Sequence, residues 1–420
     1  MRWLLTVAAA AVIATGCGPG PLVRRGVLNQ PLVDAVSTDL TALRGLTLQA
    51  PVPARAMSKS EMAAFFKDEI AATFRPGELE QVEAVDQHLG LLGTDQHLAA
   101  IMSRLYEQQI AGFYDPRSKT FTVSKDAPGG GIMVQLLGWF TGHYPVAELL
   151  IGHELTHALQ DQYFGIPVAP EPLLDSHSDR LLAQRAVFEG DATLAGFAHI
   201  LGGHLDGSAL DLIMDALAGL PAQLARDLPD VPLLLRTPLA FQYDEGTHFA
   251  ARAFQRGGWP EIDRAHRDPP TSTEQVLHPE RYFDQRDVPL LVRLAAFGRL
   301  EATGWTPILE DTIGELGIRV LLSRVGPAPA ASAADGWNGD RLRAYQRDQQ
   351  ILSVWLSTWD DEAAATEFVA AVTQALPQAR IEQRQRHVLV VLAAPESGID
   401  PDELLARAWK TSTVNGLEPR

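Results

Sequence analysis

Cysteine is almost absent: Cys17 is the only one in 420 residues. The rest of the chain therefore has no disulfide, no cysteine nucleophile and no thiolate metal ligand. Any metal site must use His, Asp or Glu. Positive charge is scarce as well. The chain has 35 Lys and Arg against 52 Asp and Glu, a formal net charge of -17. Such a surface repels phosphate backbones, so no nucleic acid partner is expected. Long apolar runs are missing from the body, and the stretch from Gly130 to Phe140 is too short to span a bilayer as a helix. With 46% hydrophobic and 21% charged residues, the chain can still bury a core and is not disordered by composition. Its length suits one large or two ordinary domains.

The N-terminus has a different character. Arg2 precedes an apolar run from Trp3 to Ile13, broken only by Thr6, and Ala14-Thr15-Gly16-Cys17 follows. Small residues before a cysteine resemble a bacterial lipoprotein signal, with Ala14 where that signal usually has Leu. The resemblance implies a cleaved signal over 1–16, lipid attachment at Cys17 and a tether over 17–30. The body would then sit at the cell envelope, outside the cytoplasm, with the lipid as its membrane partner. An ordinary secretory signal with an incidental cysteine is the other reading.

Apolar periodicity predicts helices over about Leu32 to Leu43, Gly77 to Leu91 and Asp95 to Gln109. A capping-box pattern at Ser58 to Glu61 opens another, to about Phe74. Ile110 to Tyr114 and Lys119 to Val123 read as strands around an Asp115-Pro116 turn. Pro145 starts a helix to about Tyr163, and a long one runs from about Asp179 to Leu201. Thr306 to Arg324 reads as helix and Gly326 to Asp335 as a linker. Strands are expected at Asp340 to Gln349, Ile351 to Trp359 and Ala379 to Ala393, with helices at Asp361 to Ala375 and Pro401 to Lys410. Gly336-Trp337-Asn338-Gly339-Asp340 reads as a hairpin turn. The expected fold class is α+β: a mainly helical domain with a small sheet over 31–300, then a helix and a small α+β unit over 301–420.

His153-Glu154-Leu155-Thr156-His157 carries the chemistry. On a helix, the two imidazoles lie about 40° apart in azimuth and roughly 6 Å apart along the axis, so they can converge on one ion. Glu154 can reach a water at that ion and act as general base. The surrounding Val146, Ala147, Leu149, Leu150, Ile151, Leu155, Ala158 and Leu159 make the helix apolar on nearly every side. Two imidazoles and a carboxylate buried there are costly unless they coordinate or pair. A shared Zn2+ satisfies all three. A third ligand is expected on the next long helix, where Glu189 stands among core-facing residues. Asp191, His177 and His199 are the alternatives, and Asp191, if not a ligand, is expected to support the ligands from behind. Asp161, one turn beyond His157, is either an acceptor that orients a ligand imidazole or a surface acid.

These residues resemble the zinc helix of thermolysin-like gluzincins, which use two His and a downstream Glu. The family's Asp four residues beyond that Glu is Thr193 here. A group of largely uncharacterised bacterial and archaeal metallopeptidase-like proteins, often lipoproteins, is more similar still. It shares His153 to Gln162, Glu189 to Ala192, Gly112 to Asp115 and Ser272 to Pro279. The resemblance implies a zincin-like catalytic domain and peptidase chemistry on a peptide or protein substrate.

An oxyanion donor is sought in Tyr243 or His278, with His278 favoured because it ends a turn opened by a Ser/Thr cap. The strand at Thr120 to Ser124 is a candidate edge for binding a substrate backbone, with an ordinary hairpin strand as the other reading. The leading expectation is a lipid-anchored zinc metallopeptidase. The other is a non-catalytic envelope binding or assembly lipoprotein on the same scaffold, against which an intact Glu154 argues.

Overall fold

The computed structural model describes residues 22–24, 26–109, 111–125, 145–167 and 171–415. Cys17, the expected signal over 1–16, most of the tether and the Gly130 to Phe140 stretch lie outside them. The last part of the expected tether is not a free segment. Val23–Arg24 pairs with Val27–Leu28, and Leu22 is buried.

The chain is α+β, with helices predominating and strands gathered in small sheets. Helix α1, Gln30–Arg44, starts at Asn29, whose side chain accepts from the Leu32 amide. Strands β1 (Ala54–Met57), β2 (Gly112–Asp115) and β3 (Thr120–Ser124) form a sheet in the order β1-β3-β2. β3 runs parallel to β1 and antiparallel to β2. It is therefore the middle strand and not an edge. The short β1 was invisible in sequence, because its partner lies far along the chain.

Helices α2 (Pro145–Tyr163), α3 (Ser178–Ile200) and α4 (Leu233–Gly257) form the centre. Leu149, Ile151, Leu155, Ala158 and Leu159 of α2 are all buried, as an apolar perimeter requires. Burying each of the larger ones contributes about 1.5–3 kcal/mol. Two glycine crossings set how closely these helices approach. A Cβ on Gly196 of α3 would sit 3.1 Å from the Leu149 carbonyl of α2, and one on Gly190 would sit 1.9 Å from the Gly246 carbonyl of α4.

The C-terminal part is one antiparallel sheet with helices on both faces. Its elements are β4 (Thr306–Asp311), α5 (Gly314–Leu321), α6 (Pro327–Ala334), β5 (Trp337–Arg347), β6 (Gln350–Trp359), α7 (Glu362–Ala375), β7 (Arg380–Arg384), β8 (His387–Ala393) and α8 (Pro401–Thr411). The strand order is β7-β8-β6-β5-β4. Val388, Val390 and Leu392 pack under α6 and α7, while Leu389 and Val391 pack under α8. Val85 and Leu89, from near the N-terminus, join the first of these cores.

Four readings of this region are corrected. Thr306 begins an edge strand rather than a helix, and an edge position tolerates Pro307. Gly326 to Asp335 is mostly helix α6, because an alanine run with Pro327 in the first turn favours helix over linker. Ala379 to Ala393 is a hairpin, turned at Gln385 with φ +50°. Gly336 to Asp340 enters β5 through a register shift between Trp337 and Gly339, and the hairpin turns at Asp348 instead.

Candidate metal centre

His153, Glu154 and Gln160 of α2 are buried and His157 is largely so, and their partners come from α3, α4 and β2. The Gly196–Leu149 crossing of α3 on α2 brings Glu189 to His153 and His157, and the Gly190–Gly246 crossing of α3 on α4 brings Tyr243 alongside. His153 Nε2 and His157 Nε2 are 3.1 Å apart. Glu189 Oε2 lies 3.2 Å from the first and 3.5 Å from the second. Zinc with tetrahedral ligands at 2.0–2.1 Å spaces its ligand atoms about 3.3 Å apart. The three atoms form a triangle of that size.

Hydrogen bonding points the same way. Glu189 Oε2 is buried without a hydrogen bond. Gln160 fixes the tautomer of His157. Its amide nitrogen donates to the Phe188 carbonyl at 2.9 Å and to Asp191 Oδ2 at 3.0 Å. Its oxygen therefore faces His157 Nδ1, 2.8 Å away, which must be the protonated nitrogen. In the neutral ring, the form that binds a metal, that leaves the lone pair on Nε2, the atom next to His153 Nε2 and Glu189 Oε2. This donor set fits zinc.

The charges are strongly coupled. Burial works against ionising Glu189, but His157 and then His153 outweigh it and hold the carboxyl far below its ordinary range. Burial likewise opposes a charged His157, yet Glu189 pushes it up to about 9. Glu154 is pushed upward by burial, against the pull of the two imidazoles. Its Oε2 accepts from the Tyr114 amide of β2 at 2.7 Å. Tyr243 lies against the His153 ring, with centroids 6.0 Å apart. Burial, followed by the charge of Glu189, raises its phenol well above the usual value, so the hydroxyl keeps its proton.

The other expected residues lie elsewhere. Asp161 does not meet a ligand imidazole. Its carboxylate takes the Tyr114 hydroxyl and Lys119 Nζ, both at 2.7 Å, because it emerges where α2 faces β2. Asp191 supports the site through Gln160 and is not a ligand. His278 meets Glu315 at 3.1 Å, outside the cluster, whereas Tyr243 lies against it. His177 lies by Arg341, and His199 is 3.9 Å from Glu148.

Sequence reasoning missed a buried network behind Asp191. Arg44 of α1 bridges Asp191 at 3.1 Å and Asp263 at 3.0 Å, with its guanidinium over the Trp259 ring. His266 Nε2 also meets Asp191, at 2.9 Å. Gln160 was within reach of inspection, one turn beyond His157 on a buried helix. Arg44 and His266 had no local signal.

The chain matches a family model described as a domain of unknown function (DUF8575) over residues 306–414, the C-terminal sheet and its helices. No curated protein matches it. A solved structure from Chloroflexus aurantiacus, described as a "putative hydrolase with a novel fold", is similar at 16% identity and a TM-score of 0.40. The match covers 60% of this chain and 87% of that one.

Proposed function

We propose that this chain is a zinc-dependent hydrolase of peptide bonds, of the gluzincin type, with His153, His157 and Glu189 as metal ligands. The observation that carries this reading is the triangle of ligand atoms with Glu154 beside it. Zinc held there supplies Lewis acidity, which lowers the pKa of water and polarises a carbonyl.

The chain's own residues supply the rest. Glu154 takes a proton from the attacking water and returns it to the leaving amine. Its raised affinity for a proton suits both steps. Tyr243, protonated and beside the ligands, donates to the oxyanion as the carbonyl becomes tetrahedral. Strand β2 offers the edge for a substrate backbone. Its pairing with β3 runs through Ala111, so Gly112 and Tyr114 turn their backbone groups to the open side, facing Glu154. The sequence before Cys17 supports action at the cell envelope, with the protein held to the membrane by lipid on that cysteine.

The test is Glu154→Gln, assayed on a mixed peptide library with zinc content measured in parallel. Loss of about 10²–10⁴-fold in hydrolysis, with zinc retained, is expected. Full activity in the variant would sink the mechanism.

A further inference from the structure

A second pocket lies away from the metal centre, at the N-terminus of α4. It has a volume of about 440 Å³. Three separate stretches line it: Gly90, Leu91 and Gln96; Pro229 to Leu234 with Arg236; and Val320, Leu321, Ser323 and Arg324.

Its charges are unbalanced. Arg236 stands in the first turn of α4, a 25-residue helix with no side-chain cap and no acid in that turn. A cation there opposes the helix dipole, whose positive end calls for an anion. No carboxylate of the described residues compensates, because Arg236 makes no ion pair or hydrogen bond and its Nε is buried without a partner. A second guanidinium, Arg324, lines the same pocket. It donates to the carbonyls of Gly90 and Ala375 and pairs with no acid. The one acid in the lining, Asp230, is exposed and bridges neither arginine. Two guanidinium groups with no acid partner line one pocket, the half-buried Arg236 and the exposed Arg324, in a chain with 52 acids and 35 bases.

Other donors point the same way. The Gln96 side-chain oxygen accepts from the Gly93 amide, which leaves its amide nitrogen available. The Leu233 and Leu234 amides precede the first hydrogen bonds of α4 and accordingly lack helical acceptors.

We infer that this pocket binds an oxyanion, a phosphate or carboxylate group, held by Arg236 and Arg324 at the start of α4. The ligand would join the helical part to the C-terminal unit, since Val320 to Arg324 belong to the latter. The inference is independent of the metal centre.

Titration calorimetry of the full chain with inorganic phosphate, at fixed ionic strength, is expected to show saturable binding. Acetate in a second arm separates a carboxylate ligand from a phosphate. Arg236→Gln should weaken binding of the accepted anion by about tenfold or more. In the wild-type chain, dicarbonyl labelling of Arg236, read by mass spectrometry, should slow when that anion is present. This arm decides the matter if the variant does not fold. Absence of saturable binding of either anion overturns the site. So does unchanged affinity in Arg236→Gln, or binding that leaves Arg236 labelling unaffected.

Discussion

At the residue scale, the His157 tautomer depends on a side chain that touches no reacting group. Gln160 can present its oxygen to Nδ1 only because Phe188 and Asp191 take its nitrogen. Gln160→Leu removes that acceptor and frees the imidazole to turn. Zinc affinity, measured by competition with a chelator, is expected to fall about 10–100-fold. Unchanged affinity would show that the ring is held in some other way. His153, His157 and Glu154 were legible because their spacing falls on a helix too apolar to leave them unpartnered. Glu189 was legible on weaker grounds, as an acid on the next core-facing helix. The choice between Tyr243 and His278 was not legible. It turns on whether Glu315, distant in sequence, has already engaged the imidazole.

At the scale of elements, the site exists because three helices cross at glycines. Gly196 of α3 meets the Leu149 carbonyl of α2, which lets Glu189 reach the α2 imidazoles, and Gly190, next to Glu189, touches the Gly246 carbonyl of α4. Gly190→Ala places a methyl group where the backbone of α4 now lies. It is expected to cost about 1–3 kcal/mol or more in chemical unfolding. Zinc affinity should fall with it, because the α3 backbone that must shift is the one that carries the adjacent Glu189. A variant as stable as the wild type would contradict this packing. Helices α2, α3 and α7 could be read from apolar period alone. Strands β1 and β4 could not, because pairing with distant partners decided them. The run Thr306 to Arg324 carries enough apolar residues for either period, and the strand stops at Asp311, before Gly314 at φ +71° opens α5.

At the scale of the whole molecule, the helical part and the C-terminal sheet meet at Asp179, at the start of α3. Its Oδ1 takes the amide and hydroxyl of Thr273 and sits where a Cβ on Gly314 would fall. Burial, together with the charges of Asp340 and Glu315, pushes its carboxyl up to about 8 despite the Thr273 bonds. The folded state therefore holds a proton that the unfolded chain releases near pH 4. The contribution of this proton to stability is complete below that pH and is lost as pH rises to 8. Asp179→Asn does not titrate. Between pH 5 and 8, the wild type is expected to lose on the order of 1–3 kcal/mol relative to the variant in urea unfolding. Parallel curves for the two proteins would place the proton elsewhere.

The central claim is that His153, His157 and Glu189 bind one metal ion together. Native mass spectrometry of the purified chain tests it most directly, on the wild type and on Glu154→Gln, His157→Ala and Glu189→Ala. The account predicts a single zinc ion in the wild type and in Glu154→Gln, removable by chelator, and its loss from the other two variants. A wild-type chain that takes up no zinc, or a Glu189→Ala variant that holds it as tightly as the wild type, would contradict it.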